Sequence, residues 1–346
     1  MRYRVLCLAA GLTLALTLAL TLAAAPAQAE SAPHLASTLP PLTSPLERDH
    51  PLVGRIWQPA GGRMLSADEV AAMAIRADAV LLGENHDNPD HHALQAWVVG
   101  RMAAAGRSPV VAFEMIDQDQ QGSIDSHLAA HPDDAGGLGA AVEWEKRGWP
   151  SWSQYQPVAD IALAAGGSVV AANLPRELVR QLAKGNETPE AAAQLGLERL
   201  PDAAETAAQA DEIRSGHCNM LPEAAVPAMI RVQRGRDGSM ASVLAALLAR
   251  TPANPAVLIA GAGHVRTDHG VPLRLHALAP RARVLAVALV EVQAGMDDPA
   301  SYGQAFAAQS LPFDVVWFTP RSDRADPCAQ FEKHMKAKAA AAGPQP

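Results

Sequence analysis

Cysteine is nearly missing. The chain of 346 residues has three, and one of them, Cys7, lies in an apolar N-terminal run. No CxxC pattern is formed, so a zinc-ribbon or thioredoxin-like reading has nothing to rest on. Aromatic residues are also few, at 4 %, with six Trp and three Tyr. Positive charge is in deficit: 28 Lys and Arg stand against 36 Asp and Glu, a net charge of −8. With no basic run either, nucleic-acid binding is excluded as an expectation. Beyond the N-terminus no stretch is long and apolar enough to span a bilayer. Several catalytic templates are absent as well: the G-x-S-x-G elbow, the P-loop, and G-x-G-x-x-G after a strand.

What is present begins with an export pattern. Residues 1–29 carry Arg2 and Arg4, a Leu/Ala/Thr run, and then Ala27-Gln28-Ala29. This order predicts a signal peptide cut after Ala29. A retained anchor is the competing reading, and the small-x-small site favours cleavage. No lipobox cysteine is found, so the expected location is the periplasm, without a lipid anchor. Loss of two arginines and no acid takes the charge to about −10. Cys218 and Cys328 remain, and an oxidising compartment permits them to pair. The sequence leaves their distance open.

Residues 30–50 are rich in Pro, Ser and Thr and read as a flexible leader. A single α/β domain is expected over 51–320, with a polar, Ala-rich tail over 321–346. The piece GRIWQPAGGRMLS predicts a hairpin about a Gly-Gly turn. Ser66 and Glu69 form a capping box ahead of a helix. Short aliphatic runs at 79–83, 109–115, 168–173, 256–263, 284–292 and 313–318 read as buried strands alternating with helical patterns. Such alternation predicts a mostly parallel central sheet with helices on both faces. An Ala-rich helical insertion is expected at about 175–250.

In parallel sheets, sites form at the carboxyl ends of strands. Four of the runs end there in polar groups: Glu84 and His86, Glu114, Asn173 with Arg176, and His264. Two of them share a Gly-x-x-His form, Gly83-Glu84-Asn85-His86 and Gly261-Ala262-Gly263-His264. Glycine lets the backbone turn sharply, and each histidine then offers a ligand or a base near neutral pH. His86, His264, Glu84 and Glu114 therefore form a candidate catalytic set, and equally a candidate set for a divalent metal ion. Two histidines satisfied by backbone carbonyls remain the bland alternative. Asn88 and Pro89 start a helix that carries His91, His92 and Gln95 in its first turns. Trp144, Trp149, Trp152 and Tyr155 cluster in WEKRGWPSWSQYQP, either walling a flat ligand or packing a loop. Gln233 and Asp237 share a helix face and could support a polar site from below, or face water. His217 beside Cys218 gives only a weak metal signal.

Seven motifs occur in order: GENHDNPDHHALQ, VAFEM, WPSWSQYQP, VAANLPRELV, HCNMLPE, QRGRDGSMA and LIAGAGHVRTDHGVP. Together they resemble the ChaN-like haem-binding uptake family of the Tiki superfamily, over about residues 50–292. The resemblance implies an α/β fold, haem as ligand, and a role in haem and iron uptake. It also implies a homodimer and contact with haem-transport components of the envelope. Tyr155, His91 and His92 become candidate haem ligands, and Arg176 and Arg266 candidate partners for the propionates. Other branches of the superfamily look like metal-dependent peptidases or esterases, so a hydrolase built on the paired Gly-x-x-His site is the alternative.

Overall fold

The computed structural model describes residues 38–324, with 326, 328, 329, 331–333 and 336. The expected signal peptide lies outside the described residues. Among those described, no helix is long and apolar enough to cross a membrane.

A hairpin of β1 (Ile56–Gln58) and β2 (Arg63–Leu65) opens the fold. It leads into α1 (Ala67–Arg76), whose Ser66–Glu69 capping box forms in both directions. Then follow β3 (Ala79–Glu84), α2 (Pro89–Ala104), β4 (Val110–Asp117), α3 (Gln121–Ala130), α4 (Ala135–Ala141), α5 (Trp152–Ala164) and β5 (Ser168–Asn173). Four helices separate β5 from the next strand: α6 (Arg176–Lys184), α7 (Pro189–Gln194), α8 (Ala203–Gly216) and α9 (Val226–Arg250). The chain closes with β6 (Ala256–Gly261), α10 (Val271–Leu278), β7 (Val284–Glu291) and β8 (Val315–Thr319).

The strands form one sheet in the order β2-β1-β8-β7-β3-β6-β4-β5. From β8 to β5 every neighbour is parallel, whereas β1 joins β8 and β2 antiparallel. The expectation of a mostly parallel sheet is thus corrected to a mixed one. The cause is the N-terminal hairpin. It needs only a short turn to fold back on itself, and it covers the edge that β8 would otherwise expose.

Side chains alternate across each strand, so both faces must be covered. Val80 and Leu82 point into a cluster with α1, α2 and α5, while Ala79 and Leu81 point into one with α9 and α10. Burial of the sheet on both sides explains why its strands are almost purely aliphatic.

Residues 43–46 are not the loose leader that their composition suggested. Thr43 and Ser44 donate to the Asp90 carboxylate from backbone and side chain, Ser44 also donates to Asn88, and Leu46 pairs with Arg321. The polar start of α2 supplies the acceptors that fix them. Behind it, Asn88 donates to Glu291, and Glu291 accepts from Ser322 and Arg324. Cys218 and Cys328 are disulfide-bonded, with Cα atoms 5.5 Å apart. Closing so long a loop stabilises by about 4 kcal/mol.

Candidate functional site

β3 and β6 are neighbours, with Gly83 level with Ala260 and Glu84 level with Gly261. The two Gly-x-x-His turns therefore leave the sheet side by side. This closeness excludes a side chain at Gly83 and crowds one at Gly261. A Cβ on Gly83 would sit 2.3 Å from a Val265 methyl, and one on Gly261 would sit 3.1 Å from His86 Nε2.

Glu84 is the centre of the first turn. It is buried, with Oε1 accepting from His86 Nδ1 at 2.7 Å and from the Tyr155 hydroxyl at 2.8 Å. Its Oε2 accepts from Gln95 at 2.7 Å and lies 3.2 Å from His92 Nδ1. Burial alone would raise the pKa of Glu84, but His92 and His86 outweigh it and hold the carboxyl below its ordinary range. His92 is opposed by burial and supported by Glu84, with a net upward shift. Its other nitrogen donates to the His86 carbonyl at 2.9 Å, so both ring nitrogens serve as donors.

The second turn is built differently. His264 Nδ1 lies 2.6 Å from Asp237 Oδ1, a carboxylate that arrives from α9. Its Nε2 lies 3.4 Å from Glu114 Oε1 at the end of β4. Glu114 Oε2 accepts from the Gly261 amide at 2.7 Å and stands 3.9 Å from His86 Nε2. One carboxylate thus lies between two imidazoles. Burial works against a charged His264, yet Glu114 and Asp237 outweigh it and raise its pKa to about 10. Burial likewise opposes an ionised Glu114, and His264 and His86 bring it to about 2. The His86 side chain keeps 28 % of its surface exposed and that of His264 only 7 %, so solvent enters from the His86 side. Trp149 walls that side, its ring 4.8 Å from His86.

The expected divalent-metal set is not assembled. Among the described residues, no group of three His, Cys, Asp or Glu side chains is placed to hold a metal ion. Both Glu84 oxygens are engaged by four neighbours, and the Nε2 atoms of His86 and His264 lie 3.9 Å and 3.4 Å from Glu114. What the arrangement offers instead is two oriented imidazoles whose Nε2 atoms face one buried carboxylate. Such groups hold and relay protons.

The other sequence candidates are spread apart. Tyr155 is wholly buried, its ring tilted against that of His92 with centroids 4.2 Å apart, and burial and Glu84 both push its phenol up, so it stays protonated. His91 is buried too. It accepts from the Asn85 amide and donates to Thr319, and burial lowers its pKa to about 4. Both positions, expected as haem ligands, are enclosed and their polar atoms occupied, as are those of His92. Arg266, expected at a propionate, is fully buried, with its guanidinium spent on Asp268 and the Phe306 carbonyl. Arg176 is exposed at the start of α6 and does not line the cavity described below. Asn173 does not cap α6; its side chain accepts from Leu174 and the cap position is Pro175. Trp144 and Trp152 are core, packed on each other and on Tyr155 or Phe113.

A cavity of about 500 Å³ adjoins the second turn, between α8 and α9. Ile213, Met229 and Val232 give it apolar walls; His217, Arg236 and His264 give it polar ones. His217 Nδ1 donates to the Ile213 carbonyl at 2.7 Å, which leaves Nε2 as the lone-pair nitrogen of the neutral ring. Of these residues the sequence pointed to His264 strongly and to His217 only weakly. The four-residue spacing of Gln233 and Asp237 was the one pointer to this face of α9.

Fold and site define an α/β protein with a histidine–carboxylate cluster at the carboxyl edge of its sheet and a cavity beside it. Residues 70–275 match the family described as haem-binding uptake, Tiki superfamily, ChaN, and the chain belongs to that family. Among solved structures it is similar to one described as cofacial haem binding to ChaN of Campylobacter jejuni. The TM-score is 0.58 at 19 % identity, over 76 % of this chain and 95 % of that one. A weaker likeness joins it to an erythromycin esterase in its open conformation, with a TM-score of 0.42 and 13 % identity, over 79 % of this chain and 99 % of that one. No curated protein matches the sequence.

Proposed function

We propose that this protein binds haem in the periplasm as a step of haem and iron uptake. Haem is flat and apolar, with a central iron and two carboxylates at one edge. It needs apolar walls, one axial base and a cation near the edge. The observation that carries the reading is the cavity between α8 and α9, which His217 lines together with Ile213, Met229 and Val232. In this reading His217 would be the residue that holds the haem iron, in place of Tyr155, His91 and His92. The Nδ1 bond to a carbonyl fixes the ring, as second-shell bonds do for metal-bound histidines. The N-terminal export pattern supports a periplasmic site of action. Haem binding in the Campylobacter jejuni protein supports haem as the ligand; a homodimer, and haem-transport components of the envelope as donors or acceptors, complete the reading.

Haemin titration followed in the visible tests it. A saturable Soret shift at one haem per chain is expected, strongly weakened in His217→Ala and kept in Tyr155→Phe. Absence of a saturable shift in the wild type contradicts the proposal. Size-exclusion chromatography with and without haemin reads the dimer.

A hydrolytic reading rests on one feature, the fixing of a protonated His264 between Asp237 and Glu114, which suits a general acid. Turnover of ester or peptide substrates that disappears in His264→Ala would favour it over haem carriage.

A further inference from the structure

We infer that the cavity between α8 and α9 is a carboxylate seat, with Arg236 as the cation that receives the ligand. The inference rests on the haem reading above and assigns a residue to the propionate edge. Charged groups in this cavity are spent, with one exception. Glu212 accepts from His269 at 2.8 Å and Asp237 holds His264 at 2.6 Å. Arg236 forms no hydrogen bond or ion pair among the described residues, and its Nε is shut off from solvent without a partner.

Two neutral groups point the same way. Gln209 on α8 is 5 % exposed and lines the cavity, and its amide NH2 supplies donors of the kind a carboxylate accepts from. Gln233 stands three residues before Arg236, on the same face of α9, and also lines the cavity. A buried polar group left unpaired is costly, and natural cores seldom keep one without a use. Here three polar side chains line one cavity together with the apolar Ile213, Met229 and Val232. A ligand with an apolar body and a planar anionic end satisfies both halves. A guanidinium matches a carboxylate through two parallel N–H···O bonds. Arg266 and Arg176 cannot serve, since one is consumed and the other lies outside.

The test compares haemin with haemin dimethyl ester, which keeps the ring and iron and loses both carboxylate charges. Each is titrated into the full-length wild type, Arg236→Met and Arg236→Lys. Wild type should favour haemin over the ester, and Arg236→Met should lose about 10- to 100-fold in haemin affinity with ester affinity unchanged. Arg236→Lys should recover part of the loss. Equal haemin affinity in wild type and Arg236→Met overturns the carboxylate seat and leaves the haem reading standing. Equal loss for haemin and ester overturns it too, since that reports a damaged cavity. Failure of the wild type to bind haemin overturns both. If Arg236→Met does not fold, the wild type decides alone, because equal affinity for haemin and ester refutes the seat.

Discussion

The two Gly-x-x-His turns share a pattern and leave adjacent strands, yet they are wired in opposite ways. In the first, the anchor of the histidine is local: Glu84, two residues before His86. In the second it is remote: Asp237, on a helix 27 residues upstream of His264. The local anchor also holds Gln95, His92 and Tyr155, so the first turn is a structural hub with one accessible edge. The remote anchor ties the second turn to α9, the helix that walls the cavity. The same motif thus fixes the sheet end in one place and links the sheet to the ligand pocket in the other.

Breaking the hub should have the largest effect. Glu84→Ala strands a buried imidazolium and two buried donors, so it should cost about 3–5 kcal/mol in urea unfolding. A loss under about 1 kcal/mol would show that the hub is not one. Asp237→Ala should cost less, about 1–3 kcal/mol, since it removes one charged hydrogen bond. It should instead show in titration: the ring-proton resonances of His264, with a pKa of about 10 in the wild type, should shift at clearly lower pH in Asp237→Asn.

The pH dependence sharpens the contrast. The pKa of His264 is above its ordinary 6.5, so its stabilisation is complete below that value and is lost as pH rises toward about 10. The pKa of Glu114 is below its ordinary 4.5, so its stabilisation is complete above that value and is lost as pH falls toward about 2. Urea midpoints measured from pH 7 to 10 should fall in the wild type and fall less in Asp237→Asn. The smallest effect is expected for His86→Ala. Its ring is partly in solvent and Glu84 keeps three other partners, so stability should change by less than about 1 kcal/mol.

Much of this was legible because it is local. The Ser66–Glu69 box, the Asn88–Pro89 start of α2 and the glycines of both turns depend on neighbours within a few residues. Strand ends were legible because aliphatic runs buried on both faces stop where the sheet stops. What escaped is set by docking of distant pieces. The hairpin reads the same whether it stands free or extends the sheet at β8, and only the latter makes the sheet mixed. Arg266 looks available in sequence, but Asp268 and the Phe306 carbonyl consume it. Tyr155 and His91 look like ligands until burial encloses them. Arg236 was overlooked for the opposite reason: it sits in a run of arginines, and what marks it out is the lack of a partner, which only folding shows.

The most direct measurement is the position of iron in a crystal of the protein grown with haemin, read from its anomalous scattering. An iron peak in the cavity between α8 and α9, within bonding distance of His217 Nε2 and with a propionate at Arg236, is the predicted result. A peak elsewhere, at the His86 and Trp149 face or on the outer surface, contradicts the account.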